Sequence, residues 1–405
     1  MALTALIGEL SLAADLVASL EAIPGAMTAL VNGARQSRAG ARTVVSTFTG
    51  AAALSQARTA WQTLELAGGR TTPFQSLAVA EAAAEVHLRK GETPLIATVY
   101  RDDRPVVLFP AVIGRFLGAP AIRFLGDPFI QYGDMLAASS ARPEDFAAAW
   151  RAVCQSRHAC FVQLRKVRRD ARAAAFLDTL RATVIADAAP WVDLAGPPAM
   201  ASRDVRELRR SRRRLGEQGT VSFHVFHDED ALPALATALA HKRAWLAERG
   251  LTSPVVGDGS WEDVFARLAR TPGAVRLAAA QLCLDGRPIA TEIALDDGAR
   301  WCAYLGAIDP RSAAFGPGRL QMADTIARCA SAGRRVYDLL APADSYKKSL
   351  ATDACEVRDY AVTLGLQGRI GLAAIRLAPA IKARLMRLPP GPRAAILGWL
   401  RGLRS

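Results

Sequence analysis

Two stretches of the chain repeat one order of sequence features, and this repeat limits the possible folds more than any other property. Residues 94–166 contain an apolar run, a charged turn with the letters DDRP, two further apolar runs and the letters LGDP. Residues 274–341 contain the same series, with DGRP in the turn and LGAIDP at its end. A chain with this pattern is expected to contain one supersecondary unit twice.

In each copy a segment with helical periodicity follows, and then a short apolar strand. Apolar residues recur at spacings of three and four in segments 144–157 and 318–333, which predicts helices. The runs ACFVQLRK and RRVYDLL that follow are typical of short strands. Helices are also expected ahead of the strands, in LSQARTAWQTLELAGG and EDALPALATALAHKRAWLAERG. We predict an α/β fold of tandem domains from an internal duplication, the alternative being chance similarity of two α/β segments.

Composition limits the class of protein and its partners. The chain has 405 residues, 51% of them apolar, which is enough for two or three domains with a sizeable core. Its net charge of +13 indicates an anionic partner: a nucleotide cofactor, nucleic acid, an acidic polysaccharide precursor or a membrane face. The six cysteines include no Cys-x-x-Cys pair and have no histidine at ligand spacing, which argues against zinc and disulfides. We expect a cytoplasmic protein without a metal.

A glycine-proline-glycine turn precedes the helix of the second copy. Backbone N–H groups at a helix N-terminus attract anions, and Gly316 and Gly318 would let phosphate oxygens approach the main chain closely. The alternative is that these glycines only form a turn, with φ fixed by Pro317. The first copy has a single glycine and a long polar insertion at this place, so the second copy is the predicted catalytic one.

The order of these features resembles a known family. One part of the chain is similar to the acetyl-CoA-binding core of GNAT-fold acyltransferases. It consists of a strand WCAYLGAIDP, a Gly-x-Gly turn, a helix, a strand RRVYDLL and a tyrosine in ADSYKKSL. Residues 45–365 resemble the CelD/BcsL group of cellulose and exopolysaccharide acetyltransferases, and more distantly Fem-type peptidoglycan aminoacyltransferases. The resemblance is carried by AWQTLELAGGRTTPFQS, IRFLGDPFIQYGDML and DGRPIATEIAL. The chain departs from the GNAT loop pattern at Ala313, where glutamine or arginine is usual, and at Pro317.

The resemblance and the repeat together predict four regions. They are an N-terminal helical segment with a linker (1–44), a degenerate GNAT-like domain (45–195), a catalytic GNAT-like domain (196–365) and a basic amphipathic tail (366–405). The tail has arginines and a lysine but no acidic residue. Either it contacts the inner face of a membrane peripherally, or its apolar side packs on the catalytic domain.

The resemblance also implies how the donor is held. It places the pyrophosphate of acetyl-CoA, or another acyl-CoA, at Gly316, Gly318, Arg319 and Leu320. It places the thioester carbonyl at the edge of the strand CAYLGAI, where backbone N–H groups stabilise negative charge on its oxygen. Tyr346 stands where such enzymes carry the tyrosine that protonates the departing thiolate; the alternative is an aromatic ring packed under the helix.

An amine acceptor needs a base, because deprotonating an amine of pKa about 10 at pH 7 costs roughly 4 kcal/mol. Glu292, in the strand after DGRP, is the first candidate, against an outward position or a salt bridge. Asp338 is an alternative, since an aspartate within an apolar strand requires a partner. Asp344 is a further alternative, as a base or a substrate contact, and Lys347 either binds an acidic substrate or a phosphate or is solvated.

Two other segments carry charge in a pattern. The stretch SRDVRELRRSRRRLGEQG (202–219) spreads arginines over more than one helical face, which favours contact with a polyanion or with an acidic surface between domains. His241, Lys242 and Trp245 share one side of a helix, either as a packed stripe or as part of a site.

Three functions remain open from the sequence. The leading one is acyl transfer from acyl-CoA to an amine of an amino sugar or polysaccharide precursor. The second keeps the fold and takes aminoacyl-tRNA as donor, the one case in which nucleic acid is an expected partner. The third is a non-catalytic assembly factor of a polysaccharide-synthesising complex.

Overall fold

A computed structural model describes most of residues 42–384, and all structural statements concern those residues. The gaps fall at 117–118, 156–158, 197–201, 250, 252–253, 272, 366–367, 370, 374 and 378–383. The predicted N-terminal helical segment lies outside the described residues up to residue 41, as does most of the predicted basic tail.

The first half of the chain contains both strands and helices, with four of the strands in succession. Its elements are β1 (Thr43–Thr49), α1 (Ala53–Leu66), α2 (Leu77–Arg89), β2 (Thr93–Arg101), β3 (Arg104–Phe116), β4 (Ala119–Phe124), β5 (Leu136–Ala137), α3 (Pro143–Cys154), β6 (Phe161–Arg168), α4 (Ala174–Leu177) and β7 (Thr183–Asp193).

The second half repeats this order. Its elements are α5 (Ser202–Gly216), β8 (Val221–His227), α6 (Leu232–Glu248), α7 (Pro254–Gly257), α8 (Ser260–Ala269), β9 (Arg276–Leu284), β10 (Arg287–Asp296), β11 (Arg300–Ile308), α9 (Pro317–Ser331), β12 (Val336–Asp338), α10 (Ser345–Lys348) and β13 (Asp353–Thr363).

The main strands form one continuous sheet in the order β1-β2-β3-β4-β6-β13-β7-β12-β11-β10-β9-β8, and β5 pairs with β3. Two pairs are parallel, β4 with β6 and β11 with β12, and each is joined by a connection that contains a helix. In each half, therefore, four antiparallel strands are followed by a crossover to a parallel fifth strand.

The last strand of each half lies beside the other half's fifth strand. Strand β13, from the end of the chain, pairs with β6 of the first half, and β7, from the first half, pairs with β12 of the second. The two exchanged strands also pair with each other over Asp353–Ala361. The predicted boundary at residue 195 stays a prediction, because strands of both halves alternate in one sheet here.

Within each half, strands such as β2 and β9 are buried at nearly every position, whereas β7 and β13, in the middle of the sheet, are largely exposed over part of their length. In β9, residues 277–283 are all buried, without the alternation of a strand that has one wet face. One hydrophobic cluster contains residues of both halves, for example Val79 and Phe124 with Phe265 and Leu277.

The helices and strands predicted from periodicity are confirmed, with ends shifted by one to three residues. The interpretation of the first copy's insertion as polar is wrong. Phe129, Ile130, Tyr132 and Met135 are all buried in it, and Phe124 lies so close to Gly133 that a Cβ there would come within 2.2 Å of the ring. Side chains therefore fill the place in the first half where the second half keeps its glycine turn.

Candidate functional site

A cavity of about 330 Å³ lies where the glycine turn, the end of β11 and the segment after β12 meet. Six residues singled out from the sequence as site residues line it: Glu292, Gly316, Gly318, Arg319, Tyr346 and Lys347. Leu320, Asp338 and Asp344 are not among its lining residues. The cavity therefore joins most of the predicted site and separates it from three predicted members.

The glycine turn has the backbone that its sequence predicts. Gly316 is the N-cap of α9 with φ of +61°, a left-handed conformation that favours glycine, and Pro317 is the first helical residue. A Cβ on Gly318 would lie 3.3 Å from Ile308 Cγ2, so this glycine lets the helix approach β11 closely. The first turn has few free donors, since the N–H groups of Arg319 and Leu320 both point to the Gly316 carbonyl, at 3.2 and 3.4 Å.

The edge of β11 opens into the cavity. Strand β12 pairs with β11 only at residues 300–302, so the part from Ala303 to Ile308 has no strand on that side. The register between β10 and β11 shifts beside Tyr304, which leaves this residue without a partner on β10. Such a bulge bends the strand and redirects its backbone groups. The result is a stretch of β11 that is paired with β10 on one edge and has no strand on the edge toward the cavity.

Glu292 reaches the cavity from β10 with only 3% of its surface exposed. Its two carboxyl oxygens accept hydrogen bonds from Trp301 Nε1 at 2.8 Å and from the Tyr337 hydroxyl at 2.6 Å. Burial raises the pKa of Glu292 above its ordinary value, against the opposing effect of these donors. The expected alternatives, an outward position or a salt bridge, are thereby ruled out for the described residues.

Tyr346 and Lys347 lie on α10 at another wall of the cavity. Tyr346 is 46% exposed, and burial of its remaining surface, with Asp344 and Glu292 nearby, raises the pKa of its phenol. Lys347 is buried and donates from Nζ to the Leu340 carbonyl at 3.0 Å, and burial lowers the pKa of its ammonium group. Lys347 is therefore not the solvated lysine of the alternative interpretation.

Arg319 and Leu320, the two residues predicted to contact phosphate beside the glycines, both have side chains that are engaged by other residues of the protein. Arg319 forms ion pairs with Asp204 at 3.0 Å and Glu207 at 3.3 Å, so its charge is largely balanced within the protein. Leu320 is buried in a hydrophobic cluster with Leu215 and Leu282. Only the backbone of Leu320 is positioned near the turn.

Asp338 is fully buried away from the cavity lining and joins the two halves. It accepts hydrogen bonds from the Tyr132 hydroxyl at 2.7 Å and from Arg300 Nη1 at 2.7 Å, and Arg168 Nη1 lies 3.3 Å away. The expectation that this aspartate has a partner is confirmed. Asp344 is exposed just before α10. Neither position supports the predicted role in catalysis or substrate binding.

Helix α6 supplies the opposite wall, through His241, Lys242 and Trp245. The ammonium group of Lys242 lies 4.5 Å from the centre of the Trp245 ring, and the guanidinium of Arg249 lies 4.4 Å from it. His241 Nδ1 is buried without a hydrogen-bond partner among the described residues. Of the two interpretations of this stripe, the structure favours the site.

Sequence reasoning missed the two donors to Glu292 and two further lining residues, Gln321 and Met322. Residue 301 lies on the strand that follows residue 292, residue 337 lies much further along the chain, and only the register of β10, β11 and β12 brings the three side chains together. Gln321 and Met322 gave a weak signal, since they lie one turn into the helix behind the glycine turn.

The family comparison agrees with this geometry. Residues 202–348 match the family described as acetyltransferase (GNAT) domain. They are a GNAT acetyltransferase domain. This GNAT domain contains the cavity, the glycine turn and every predicted catalytic residue. The chain therefore carries a GNAT-type N-acyltransferase, and the predicted tandem GNAT-like α/β fold is confirmed.

The likeness in fold to FemX extends beyond the GNAT domain to both halves. FemX is 10% identical, with 78% of this chain and 97% of that chain covered and a TM-score of 0.54. The C-terminal domain of a putative lysylphosphatidylglycerol synthetase from Agrobacterium fabrum is 12% identical, covering 67% and 85%, with a TM-score of 0.46. A tandem GNAT protein from the clavulanic acid biosynthesis pathway is also 12% identical, covering 80% and 99%, at 0.45. No curated protein matches the chain in sequence.

The described residues show neither a metal-binding cluster nor a membrane-spanning helix. They contain no cluster of three or more His, Cys, Asp or Glu side chains placed to hold a metal ion. None of the described helices has the length and apolar character to cross a bilayer.

Proposed function

We propose that the chain transfers an acetyl or other acyl group from acyl-CoA to the amine of an amino sugar or polysaccharide precursor. The observation that supports this most is the single cavity shared by a glycine turn, an unpaired strand edge, a buried carboxyl group and a tyrosine. Each of the four meets one need of the reaction.

The turn and the strand edge suit the donor. Acyl-CoA supplies a thioester, joined to a nucleotide by a pyrophosphate. Gly318 adds no side chain at the positive end of α9, where an anion would approach the main chain, and a Cβ there would lie 3.3 Å from Ile308 Cγ2. The free backbone of β11 from Ala303 to Ile308 offers N–H groups to the carbonyl oxygen as negative charge develops there, and one such donor is typically worth about 3 kcal/mol.

Glu292 is assigned the role of base toward the acceptor amine. Because burial raises its pKa, its carboxylate is a stronger base than that of an exposed glutamate. The hydrogen bonds from Trp301 and Tyr337 hold both of its oxygens in place, so an amine reaches it directly or through one water molecule.

Tyr346 is assigned the role of acid toward the departing thiolate. Its raised pKa keeps the phenol protonated at neutral pH, which an acid requires. Its position at the cavity wall, half exposed, leaves the hydroxyl accessible to the donor.

Binding and turnover test this proposal separately. Calorimetry with acetyl-CoA should show saturable binding to the wild type, and thiol release over a panel of amino sugars should identify an acceptor. Absence of binding would exclude acyl-CoA as donor. Binding without turnover by any acceptor would favour the non-catalytic assembly factor.

The place of action is proposed from the resemblance to the CelD/BcsL group and from the net charge of +13. We place the protein in the cytoplasm, with the basic tail (366–405) on the inner face of a membrane where polysaccharide precursors are assembled. Sedimentation with anionic liposomes should be weaker for a chain that ends at Gly365. Equal sedimentation of the two chains would exclude membrane contact through the tail.

Aminoacyl-tRNA as the donor is the second candidate. It is favoured by the fold likeness to FemX and by the exposed arginines of α5. A true tRNA site loses affinity steeply with salt, because each phosphate contact releases counterions. Filter retention of labelled tRNA across a salt series tests this, and weak retention that does not depend on salt would eliminate it.

A further inference from the structure

Helix α5 carries more positive charge than its neighbours balance. One side of it faces α9, where Asp204 and Glu207 bind Arg319 and Arg212 pairs with Asp324. Leu208 and Leu215 pack beneath it on the GNAT domain. The helix is therefore held in a fixed position beside the glycine turn.

Another side of α5 presents a row of arginines at spacings of four: Arg206, Arg210 and Arg214. All three are exposed, and among the described residues none has a carboxylate within ion-pair distance. Like charges at this spacing repel each other and destabilise a helix. A row of this kind favours an anion bound from outside.

Arg214 connects this row to the donor turn. Its guanidinium lies 5.7 Å from the centre of the Phe315 ring, and Phe315 directly precedes Gly316, the N-cap of α9. The arginine row thus reaches the end of the cavity where the donor's phosphates are proposed to lie.

The turn itself is short of donors for those phosphates. Pro317 has no N–H, and the N–H groups of Arg319 and Leu320 point to the Gly316 carbonyl. The guanidinium group of Arg319 is already paired with two carboxylates. A nucleotide donor with several negative charges needs further cations near this turn. On α5, the exposed guanidinium group of Arg214 lies beside Phe315, the residue that precedes the turn.

We propose that Arg214, supported by Arg210, binds the phosphate monoester on the ribose of the CoA donor. A guanidinium offers a planar fork of N–H groups that suits a phosphate, which gives this contact geometric as well as ionic specificity. The inference rests on the proposed function, since it concerns the same donor. It adds a discrimination between CoA and nucleotides that lack the 3′-phosphate.

Calorimetry on the full chain tests the contact with two ligands, acetyl-CoA and 3′-dephospho-acetyl-CoA, at one fixed ionic strength. The wild type should bind the dephospho ligand about tenfold more weakly. Arg214→Ala should weaken acetyl-CoA binding by a similar factor and leave the dephospho ligand unaffected, so that the ratio of the two Kd values falls toward one. Arg210→Ala should reduce the ratio less.

Arg209→Ala is the matched control, because it removes one exposed arginine from the same helix outside the row and should keep the wild-type ratio. Equal binding of both ligands by the wild type would overturn this inference and leave acyl-CoA as the donor. Binding of neither ligand would overturn the inference and the proposed function together. If Arg214→Ala keeps the ratio but loses salt-dependent retention of tRNA, the row belongs to a nucleic acid and the inference is wrong.

Discussion

Glu292 has a buried carboxyl group, and burial affects both its strength as a base and its contribution to the free energy of unfolding. Replacing it with glutamine keeps the shape and removes the base, so kcat should fall by about 10² to 10³. The base acts only when its carboxyl group is ionised, so kcat/KM of the wild type should decrease as pH falls through the raised pKa of Glu292, which lies above 4.5. The pH profile of Glu292→Gln should lack that limb, and a variant that retains it would show that another group is the base.

Stability offers a second measurement on the same side chain. The folded pKa of Glu292 lies above 4.5, so its favourable contribution is complete below pH 4.5 and is lost as pH rises through the folded value. The melting temperature of the wild type relative to Glu292→Gln should therefore decrease over that interval. A difference that does not vary with pH would contradict the burial effect.

Tyr346 should behave in the opposite way, as a residue that matters for turnover and little for folding. Tyr346→Phe should lower kcat by roughly 10- to 100-fold while Kd for acetyl-CoA and the melting temperature stay near wild type, because the side chain is half exposed. Tyr100→Phe, in the first half, is the control and should leave kcat unchanged. An unchanged kcat in Tyr346→Phe would assign the proton to another group.

At the scale of elements, the donor site depends on how closely α9 approaches β11. Gly318→Ala adds a Cβ about 3.3 Å from Ile308 Cγ2, so it should narrow the cavity and raise the Kd for acetyl-CoA several-fold. Alanine favours the helix by about 1 kcal/mol over glycine, and this gain opposes the cost of the close contact with Ile308. The free energy of unfolding should therefore change little. Calorimetry and thermal melting measure the two effects.

Two further variants calibrate this result. Gly318→Trp should abolish donor binding, since an indole occupies the cavity. Gly257→Ala is the matched control because a Cβ there meets no atom within 4 Å. Tight donor binding by Gly318→Trp would place the donor elsewhere.

At the scale of the whole molecule, the two halves are joined by exchanged strands and by one buried charge cluster. Asp338 and Arg300 come from the second half, and Tyr132 and Arg168 from the first. Asp338→Asn removes the negative charge between two guanidinium groups and should cost about 3–5 kcal/mol of unfolding free energy. Denaturant unfolding measures it, and Asp344→Asn, at an exposed site, should change it by less than about 0.5 kcal/mol. Full stability with a large loss of kcat would instead favour a catalytic Asp338.

What the sequence determined by itself was local or repeated. Periodicity predicts helices over 144–157 and 318–333, which the structure places at Pro143–Cys154 and Pro317–Ser331, and the letters of the Gly-Pro-Gly stretch predict a turn before the second helix. The repeat predicts two α/β units, because the same order of turns and apolar runs favours the same supersecondary unit. The resemblance to acyltransferases indicated in addition that the site lies at the glycine turn and at the edge of the strand CAYLGAI.

What only the tertiary structure decided depends on contacts between distant parts of the chain. The exchange of β7 and β13 leaves no trace in periodicity, since a strand reads the same whichever neighbour it pairs with. Glu292 belongs to the cavity while Asp338 belongs to the joint between halves, although both are acidic residues in apolar strands. Pairing register and burial separate the two cases, because they fix which donors surround each carboxylate.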